Sequence, residues 1–273
     1  DSEEYHLEDV ETHDCEVGFI GSYIDKKLNI QAHIAYHLMD EVNYEQSQFT
    51  DAQGLQFISQ DPGLGNKQRN YYVSDLQVKY GDSTSYVYLN KWDKHWGPGV
   101  RSLTVSHKIP TFPHLGFRWQ VTDQIQLEYF HGQLRSGIVD SSYLNYFASG
   151  KSPQIMRNIA GHRLDWRPNE KWNISISELV IYANRSLEMA YLLPFIPFFP
   201  LQNYLNDIDN ILMSVDVQYF HQNNMRIYGA FLMDEWSPPY TFKKDNHNWF
   251  GWQAGIDWNN IYLEKDRFRL EYS

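Results

Sequence analysis

The sequence of 273 residues contains a single cysteine, Cys15, and no long apolar run. One cysteine excludes an intramolecular disulfide and a metal site made of several thiolates. No apolar stretch reaches the roughly 18 residues that a membrane-spanning helix needs. The acidic start, DSEEYHLEDVETHD, is not a signal peptide, so we expect a mature or truncated chain. A membrane β-barrel stays possible, because only alternate residues of its strands face lipid.

Basic residues are also in short supply. The chain has 23 Lys and Arg against 34 Asp and Glu, which gives a formal net charge of −11. A nucleic-acid backbone is therefore not expected as the main partner, because a phosphate-binding surface needs excess positive charge.

Motifs for catalysis and metal binding are missing as well. There is no His-Glu-x-x-His, no phosphate-binding glycine loop and no Gly-x-Ser-x-Gly. His33 and His37 share one face of a predicted strand, but the sequence supplies no third ligand beside them. We therefore expect no metal, no cofactor and no enzymatic activity.

Aromatic residues are abundant instead. They make up 16% of the chain, although the mean hydropathy is −0.57. This combination is typical of strands with one apolar and one polar face. We find no internal repeat and no linker, so residues 1–273 are interpreted as a single β-barrel domain, truncated at both ends.

Strict alternation of apolar and polar residues predicts consecutive antiparallel hairpins. ILMSVDVQYF and MRIYGAFLMD flank the polar turn HQNN, GFRWQV and IQLEYF flank TDQ, and GHRLDW and WNISISELVIY flank PNEK. WFGWQAGIDW and DRFRLEY alternate in the same way, and an early hairpin is predicted around DKK.

The charged face of these strands has two explanations, the outside of a soluble sandwich or the inside of a membrane barrel. Aromatic residues near strand ends, scarce helical periodicity and short turns alternating with long connections favour the barrel. The predicted long connections are residues 43–70, 131–158, 183–208 and 234–248. The fold class is therefore predicted to be all-β, an antiparallel up-and-down transmembrane β-barrel of about twelve to sixteen strands.

Two connecting segments have unusual sequences. YLLPFIPFFPLQNY carries Pro194, Pro197 and Pro200, which exclude a regular helix interior and a central strand. We expect it to pack on its own barrel, to fold into the lumen or to touch lipid headgroups. The stretch Trp96-Gly97-Pro98-Gly99 predicts a sharp break at the end of one strand, before Ser102 begins the next.

Five blocks in the same order carry a family resemblance. They are WDKHWGPGVRSLTVSHKIPTFPHLGF, a Gly-His-Arg strand, a Ser-Glu strand, a Tyr-x-x-Pro-Phe loop and an Asp-Asn before a strand, within residues 88–234. This pattern resembles the Wzi-type capsule-assembly proteins of bacterial outer membranes. The resemblance implies a barrel of about eighteen strands, located in the outer membrane, that retains capsular polysaccharide in a lectin-like, non-catalytic way. Members of that family are longer, so we expect a fragment.

The motif positions select six candidate residues for polysaccharide binding. Aromatic faces stack on sugar rings, and Arg, Asp and Asn hydrogen-bond to hydroxyl or carboxylate groups. The six are Trp96, Arg101, Arg163, Arg185, Asp209 and Asn210. A lumenal network that holds the barrel wall is an equally good interpretation of each. The competing functions are a soluble β-sandwich that binds or cleaves carbohydrate, and an outer-membrane porin or transporter.

Overall fold

A computed structural model describes residues 13–40, 69–107, 109–143, 153–183, 185–206, 208–221, 224–234, 238–240, 243, 248–261 and 266–273. These residues form twelve strands and one short helix. The strands are β1 His13–Asp25, β2 Leu28–Asp40, β3 Arg69–Gly81, β4 Tyr86–Trp92, β5 Phe112–Gln120, β6 Ile125–Val139, β7 Gln154–Asn169, β8 Trp172–Ala183, β9 Asn210–His221, β10 Met225–Asp234, β11 Trp249–Asn259 and β12 Arg267–Tyr272. The helix is α1, Phe198–Tyr204, and single 3-10 turns lie at Ser141–Tyr143, Met189–Leu192 and Pro238–Tyr240.

Every strand pairs antiparallel with the next strand in the chain. The order in the sheet is β1 to β12 without a crossover. The predicted all-β, up-and-down architecture is confirmed. Within the described residues β1 and β12 each have one neighbour, so the sheet has two free edges and the predicted closure is not seen there.

The connections alternate in length, as predicted. The predicted turns around DKK, TDQ and PNEK each join two strands, whereas residues 222 and 223 of the predicted HQNN turn lie outside the described residues. Local hydrogen bonds stabilise the short turns of the sheet. In the β3–β4 turn, for example, the Asp82 carboxylate accepts from the backbone N–H groups of Thr84 and Ser85 at 2.8 and 2.6 Å. These bonds lower the pKa of Asp82.

Two predicted connections differ from the structure. Half of residues 131–158 is strand, since β6 runs to Val139 and β7 begins at Gln154. The predicted connection 43–70 lies almost entirely outside the described residues, and β3 begins at Arg69.

Residues 93–111, which we call the crossing loop, join β4 to β5 and lie over one face of the sheet. Trp96 pairs with Val105 in an isolated bridge within this loop. The prediction that Ser102 begins a strand is wrong, because β5 begins at Phe112. Ser102 instead donates its hydroxyl to the carbonyl of Trp96, which holds the loop folded on itself.

Residues 185–209, which we call the strap, join β8 to β9 and lie over the opposite face. Tyr191 and Phe198 of the strap are fully buried against side chains of β6 to β9. The proline-rich segment therefore packs on its own sheet, one of the predicted arrangements. It does not share a face with the crossing loop.

The two faces have different chemistry. The face covered by the crossing loop carries charged, amide and hydroxyl side chains around the loop. Among them are Arg163, Ser175, Asp216, Gln253 and Asp257. The other face is apolar and largely exposed. Its exposed members include Leu89, Leu115, Leu164, Ile176, Val215, Ile227, Trp252 and Leu270. No helix within the described ranges is long and apolar enough to span a membrane.

Gly161 on β7 lets the crossing loop approach the sheet. A Cβ atom at this position would lie 2.5 Å from Leu179, 2.7 Å from Phe130 and 2.9 Å from Trp96. We predict that Gly161→Ala lowers the free energy of unfolding by about 1–3 kcal/mol, because the added methyl group overpacks this contact. Urea unfolding of the refolded protein measures it.

The matched control is Gly229→Ala on β10, where the nearest atom to an added Cβ is a backbone oxygen at 3.7 Å. That variant is expected to unfold within about 0.5 kcal/mol of the unchanged protein. Equal stability of the two variants would contradict the packing of Trp96 against Gly161.

Candidate functional site

Trp96 fixes one end of the crossing loop to the sheet. Its side chain is 3% exposed and meets the Phe130 ring edge-on, with ring centroids 4.9 Å apart. The Trp96 backbone N–H donates to Val105, and its carbonyl accepts from the Thr104 hydroxyl at 2.8 Å. Gly97 follows with a φ of 117°, a conformation that glycine adopts readily and other residues rarely do.

The middle of the crossing loop is fixed to β11 and β12. The Val100 N–H donates to the Glu271 carboxylate at 2.8 Å, and the Gln253 amide donates to the Arg101 carbonyl at 2.7 Å. The backbone of Gly99 lies so close to Gln253 that a Cβ would overlap its side-chain amide. Pro98 and the two glycines therefore serve a close backbone approach, as the sequence predicts for this stretch.

These contacts require a curved sheet. Trp96 touches β6, and Val100 touches β12, six strand spacings away. Six spacings amount to about 29 Å in a flat sheet. Four residues of backbone span at most about 14 Å. The contacts indicate that the sheet curls around the crossing loop, and we call the covered side the inner face and the other the outer face.

A buried ionic cluster supports the crossing loop on the inner face. Lys94 donates to Glu128 at 2.6 Å and to the Tyr88 hydroxyl at 3.0 Å. Arg118 donates to the other Glu128 oxygen at 2.7 Å. The Lys94 ammonium also lies 4.5 Å from the centre of the Phe130 ring. Burial lowers the pKa of Lys94, and the Glu128 carboxylate opposes this shift.

Arg163 lies in a second inner-face network. Its guanidinium binds both oxygens of Asp216, at 2.8 and 3.1 Å, and one oxygen of Asp165 at 3.0 Å. Ser175 donates to the same Asp165 oxygen at 2.6 Å. Two carboxylates and one guanidinium leave this buried group with an excess negative charge.

The opposite imbalance occurs near the β11–β12 turn. Asp257 accepts from Arg269 at 2.7 Å and from Arg267, and Arg226 lies 3.5 Å from it. The Arg267 side chain is 50% exposed. Within the described residues, three guanidiniums therefore lie around this one carboxylate on the inner face.

Two predicted residues belong to the other side of the sheet. Arg185 of the strap binds both oxygens of Asp209, at 2.9 and 2.5 Å. Asp209 also accepts from the Tyr191 hydroxyl at 2.7 Å. The hydrogen bonds to Asp209 raise the pKa of Arg185, while burial and the bond to Asp209 raise the pKa of Tyr191. This group fixes the strap at the point where β9 begins.

The six predicted residues therefore do not form one site. Trp96, Arg101 and Arg163 lie on the inner side, and Arg185 and Asp209 belong to the strap. Asn210 is the first residue of β9 and pairs with Ile181. Arg101 has an exposed side chain, whereas Trp96, Arg163 and Asp209 are buried in contacts within the protein.

Sequence reasoning missed the Lys94–Glu128–Arg118 cluster. The sequence could have indicated the Arg118–Glu128 pair, since these two residues are cross-strand partners in the predicted hairpin around TDQ. Opposite charges at directly opposed positions are expected to pair. Lys94 gave no such signal, because it lies in a loop. In the described part of the chain, no three His, Cys, Asp or Glu side chains are grouped as metal ligands.

Comparison with known proteins gives only distant likenesses. No family model and no curated protein matches the sequence. Among solved structures, the NanC porin has a TM-score of 0.38 at 9% identity, covering 90% of this chain and 98% of that one. OccAB2 of Acinetobacter baumannii has a TM-score of 0.42 at 9% identity, covering 95% of this chain and 73% of that one.

A third likeness is to a loop L8 deletion mutant of OmpT, an outer membrane protein of Vibrio cholerae. Its TM-score is 0.42 at 10% identity, and the match covers 96% of this chain and 90% of that one. At such values these structures identify neither a family nor a function for the chain. The antiparallel architecture rests on the strand pairing itself.

Glu128 offers a test of the buried cluster. We predict that Glu128→Gln lowers the free energy of unfolding by about 3–5 kcal/mol, because it leaves Lys94 and Arg118 without their shared carboxylate. Urea unfolding measures the effect, and Trp fluorescence reports whether the Trp96 contact loosens.

The control is Lys91→Met, which removes a partly exposed ion pair with Asp75 at 3.0 Å. A loss below about 1 kcal/mol is expected there. If Glu128→Gln costs no more than Lys91→Met, the cluster does not hold the crossing loop.

Proposed function

We propose that the chain forms the wall of a β-barrel in a bacterial outer membrane and attaches a capsular or other surface polysaccharide without catalysis. The observation that carries the proposal is the crossing loop, which occupies the inner face and is held to β6 at Trp96 and to β11 and β12 at Val100 and Arg101. Such an interior favours a binding protein over an open channel.

The chemistry of the two faces supports a membrane wall. Lipid-facing strand residues must be apolar, whereas residues facing the interior of a barrel are polar. The exposed leucines, isoleucines and tryptophans of the outer face and the charged networks of the inner face follow this pattern. Unpaired edges of β1 and β12 would be costly in lipid, so a membrane wall also requires that they be paired.

The resemblance to Wzi-type proteins supports a polysaccharide as the ligand of this chain. The blocks that carry it contact one another in this chain. Trp96 packs beside Gly161, and Glu178 lies 2.8 Å from His162. Tyr191 binds Asp209, and both lie in or next to the strap. The blocks therefore form one connected unit around β7 and β8, as expected if they serve one function.

The inner face offers suitable groups for an acidic polysaccharide. Arg101 has an exposed side chain on a loop whose backbone is fixed. Arg267 and Arg269 add two guanidiniums that both bind the carboxylate of Asp257. Guanidiniums bind carboxylates through paired hydrogen bonds, which suits uronic acids and other acidic sugars.

A porin is the second candidate. A polar cavity of about 290 Å³, lined by Gln120, Gln126, Asp165 and Arg167 among others, lies at the short-turn end of the inner face. A polar cavity of this kind suits the passage of small solutes. The two functions differ in conductance, since an interior filled by the crossing loop carries little current.

Arg101 allows a test of binding. We predict that Arg101→Ala weakens binding to purified surface polysaccharide about tenfold, since a charged hydrogen bond contributes about 1.5 kcal/mol or more. Retention of polysaccharide on whole cells should fall in parallel. The matched control is Arg167→Ala, an exposed arginine near the β7–β8 turn, which should bind normally. Equal binding by both variants would contradict a role for the crossing loop.

Conductance of the full chain in planar lipid bilayers separates the two candidates. We expect no steady current for the unchanged protein and a steady current after residues 97–104 are replaced by a short Gly-Ser linker. Heat-modifiable gel mobility checks that the variant folds. A steady current from the unchanged protein would favour the porin.

A further inference from the structure

The strap has a composition that a water-exposed loop rarely has. Residues 189–204, MAYLLPFIPFFPLQNY, include no charged side chain. Several of its large apolar residues are exposed, with Met189 at 72%, Phe195 at 67% and Leu193 at 48%. Contiguous exposed apolar surface of this kind marks contact with a partner or a membrane.

A polar pair on the outer face fixes the strap in place. His162 and Glu178 are side by side on β7 and β8, 2.8 Å apart, among outward-facing apolar residues. The Glu178 carboxylate also accepts from the backbone N–H of Phe198 at 2.8 Å, and the Phe198 ring lies 4.4 Å from the His162 ring. The first residue of α1 therefore covers a pair that would be costly to expose to lipid.

Further bonds hold the strap along its length. The Tyr129 hydroxyl of β6 donates to the Tyr191 carbonyl at 2.8 Å. Tyr182 of β8 accepts from the Glu188 N–H at 3.1 Å. The Arg185–Asp209 pair closes the strap at its two ends. The strap is thus a fixed layer on the outer face.

Many backbone N–H groups of the strap have a hydrogen-bond partner within the protein. Pro194, Pro197 and Pro200 have no N–H to satisfy. The N–H groups of Ala190, Tyr191, Leu193, Ile196, Phe198 and Leu205 all donate within the strap or to Glu178. Irregular backbone is excluded from lipid because its polar groups lack partners there. The prolines, which have no N–H group, and the internal hydrogen bonds of the strap leave fewer unpaired polar groups to be placed in lipid.

The exposed side of the strap continues the apolar outer face. Phe195 lies against Phe117 and Trp119 of β5, with ring centroids 6.5 and 6.4 Å away. Next to these residues the outer face presents Leu115, Leu164 and Ile176, which are all exposed. A layer that covers these outer-face residues would therefore also contact Phe195 and Leu193 of the strap.

We propose that the strap is embedded in membrane lipid, with Met189, Leu193 and Phe195 in contact with acyl chains. The proposal rests on the membrane wall described under Proposed function. In the sequence, the charged residues of the strap, Arg185, Glu188, Asp207 and Asp209, all fall near its two ends. The segment between them replaces lipid over β6 to β9 and offers lipid a new apolar surface.

Nitroxide labels test this arrangement in the full chain. In a Cys15→Ser background, single cysteines are introduced by Phe195→Cys or Met189→Cys, labelled and reconstituted into vesicles of phosphatidylcholine and phosphatidylglycerol. Collision rates with oxygen and with a water-soluble nickel chelate are then measured. Leu115→Cys is the control for the wall, and Ser141→Cys is the control for a polar connection.

We expect the ratio of oxygen to nickel collisions at both strap positions to match Leu115→Cys and to exceed Ser141→Cys several-fold. If Leu115→Cys shows lipid contact and both strap labels show water contact, the lipid-embedded strap is refuted and the membrane wall stands. If Leu115→Cys also shows water contact, both proposals fail. Low collision rates with both reagents, together with dipolar broadening, would identify a second copy of the chain as the occupant and would refute lipid.

Discussion

An ionised side chain that leaves water must meet an opposite charge or a set of hydrogen-bond donors, because its unpaired burial costs several kcal/mol. This constraint shapes both irregular segments of the chain. The crossing loop brings Lys94 to Glu128, which also pairs with Arg118. The strap brings its own backbone N–H to Glu178, beside His162. In each case a carboxylate on a strand selects where the loop docks.

Strand alternation then divides these roles between the two faces. Gly161, His162 and Arg163 are consecutive, yet Gly161 contacts Trp96 of the crossing loop, and His162 contacts Phe198 of the strap. Arg163 returns to the inner face and binds Asp216. One tripeptide therefore serves both loops, since the side-chain period of a strand is two. A single substitution there is expected to disturb one face and spare the other.

Much of the fold could be predicted from the sequence. Alternation and polar turns located the hairpins, because a hairpin is stabilised by residues that are near each other in the chain. The positions of the two loops could not be predicted in this way. Val100 meets Glu271 across 171 residues, and no local pattern reports such a contact. The motifs identified Trp96 and Arg163 as important residues. Their burial and their partners could not be predicted, because these also depend on contacts between distant parts of the chain.

The far anchor of the crossing loop also has a consequence for the order of assembly. Hairpins form between neighbours in sequence, whereas the contact of Val100 with Glu271 closes a very long loop, whose entropic cost rises with its length. Glu271 lies in β12, which comes last in chain order among the described strands. The interior is therefore expected to fill late, after the wall has formed, so that the newly formed sheet passes through a stage with an empty centre.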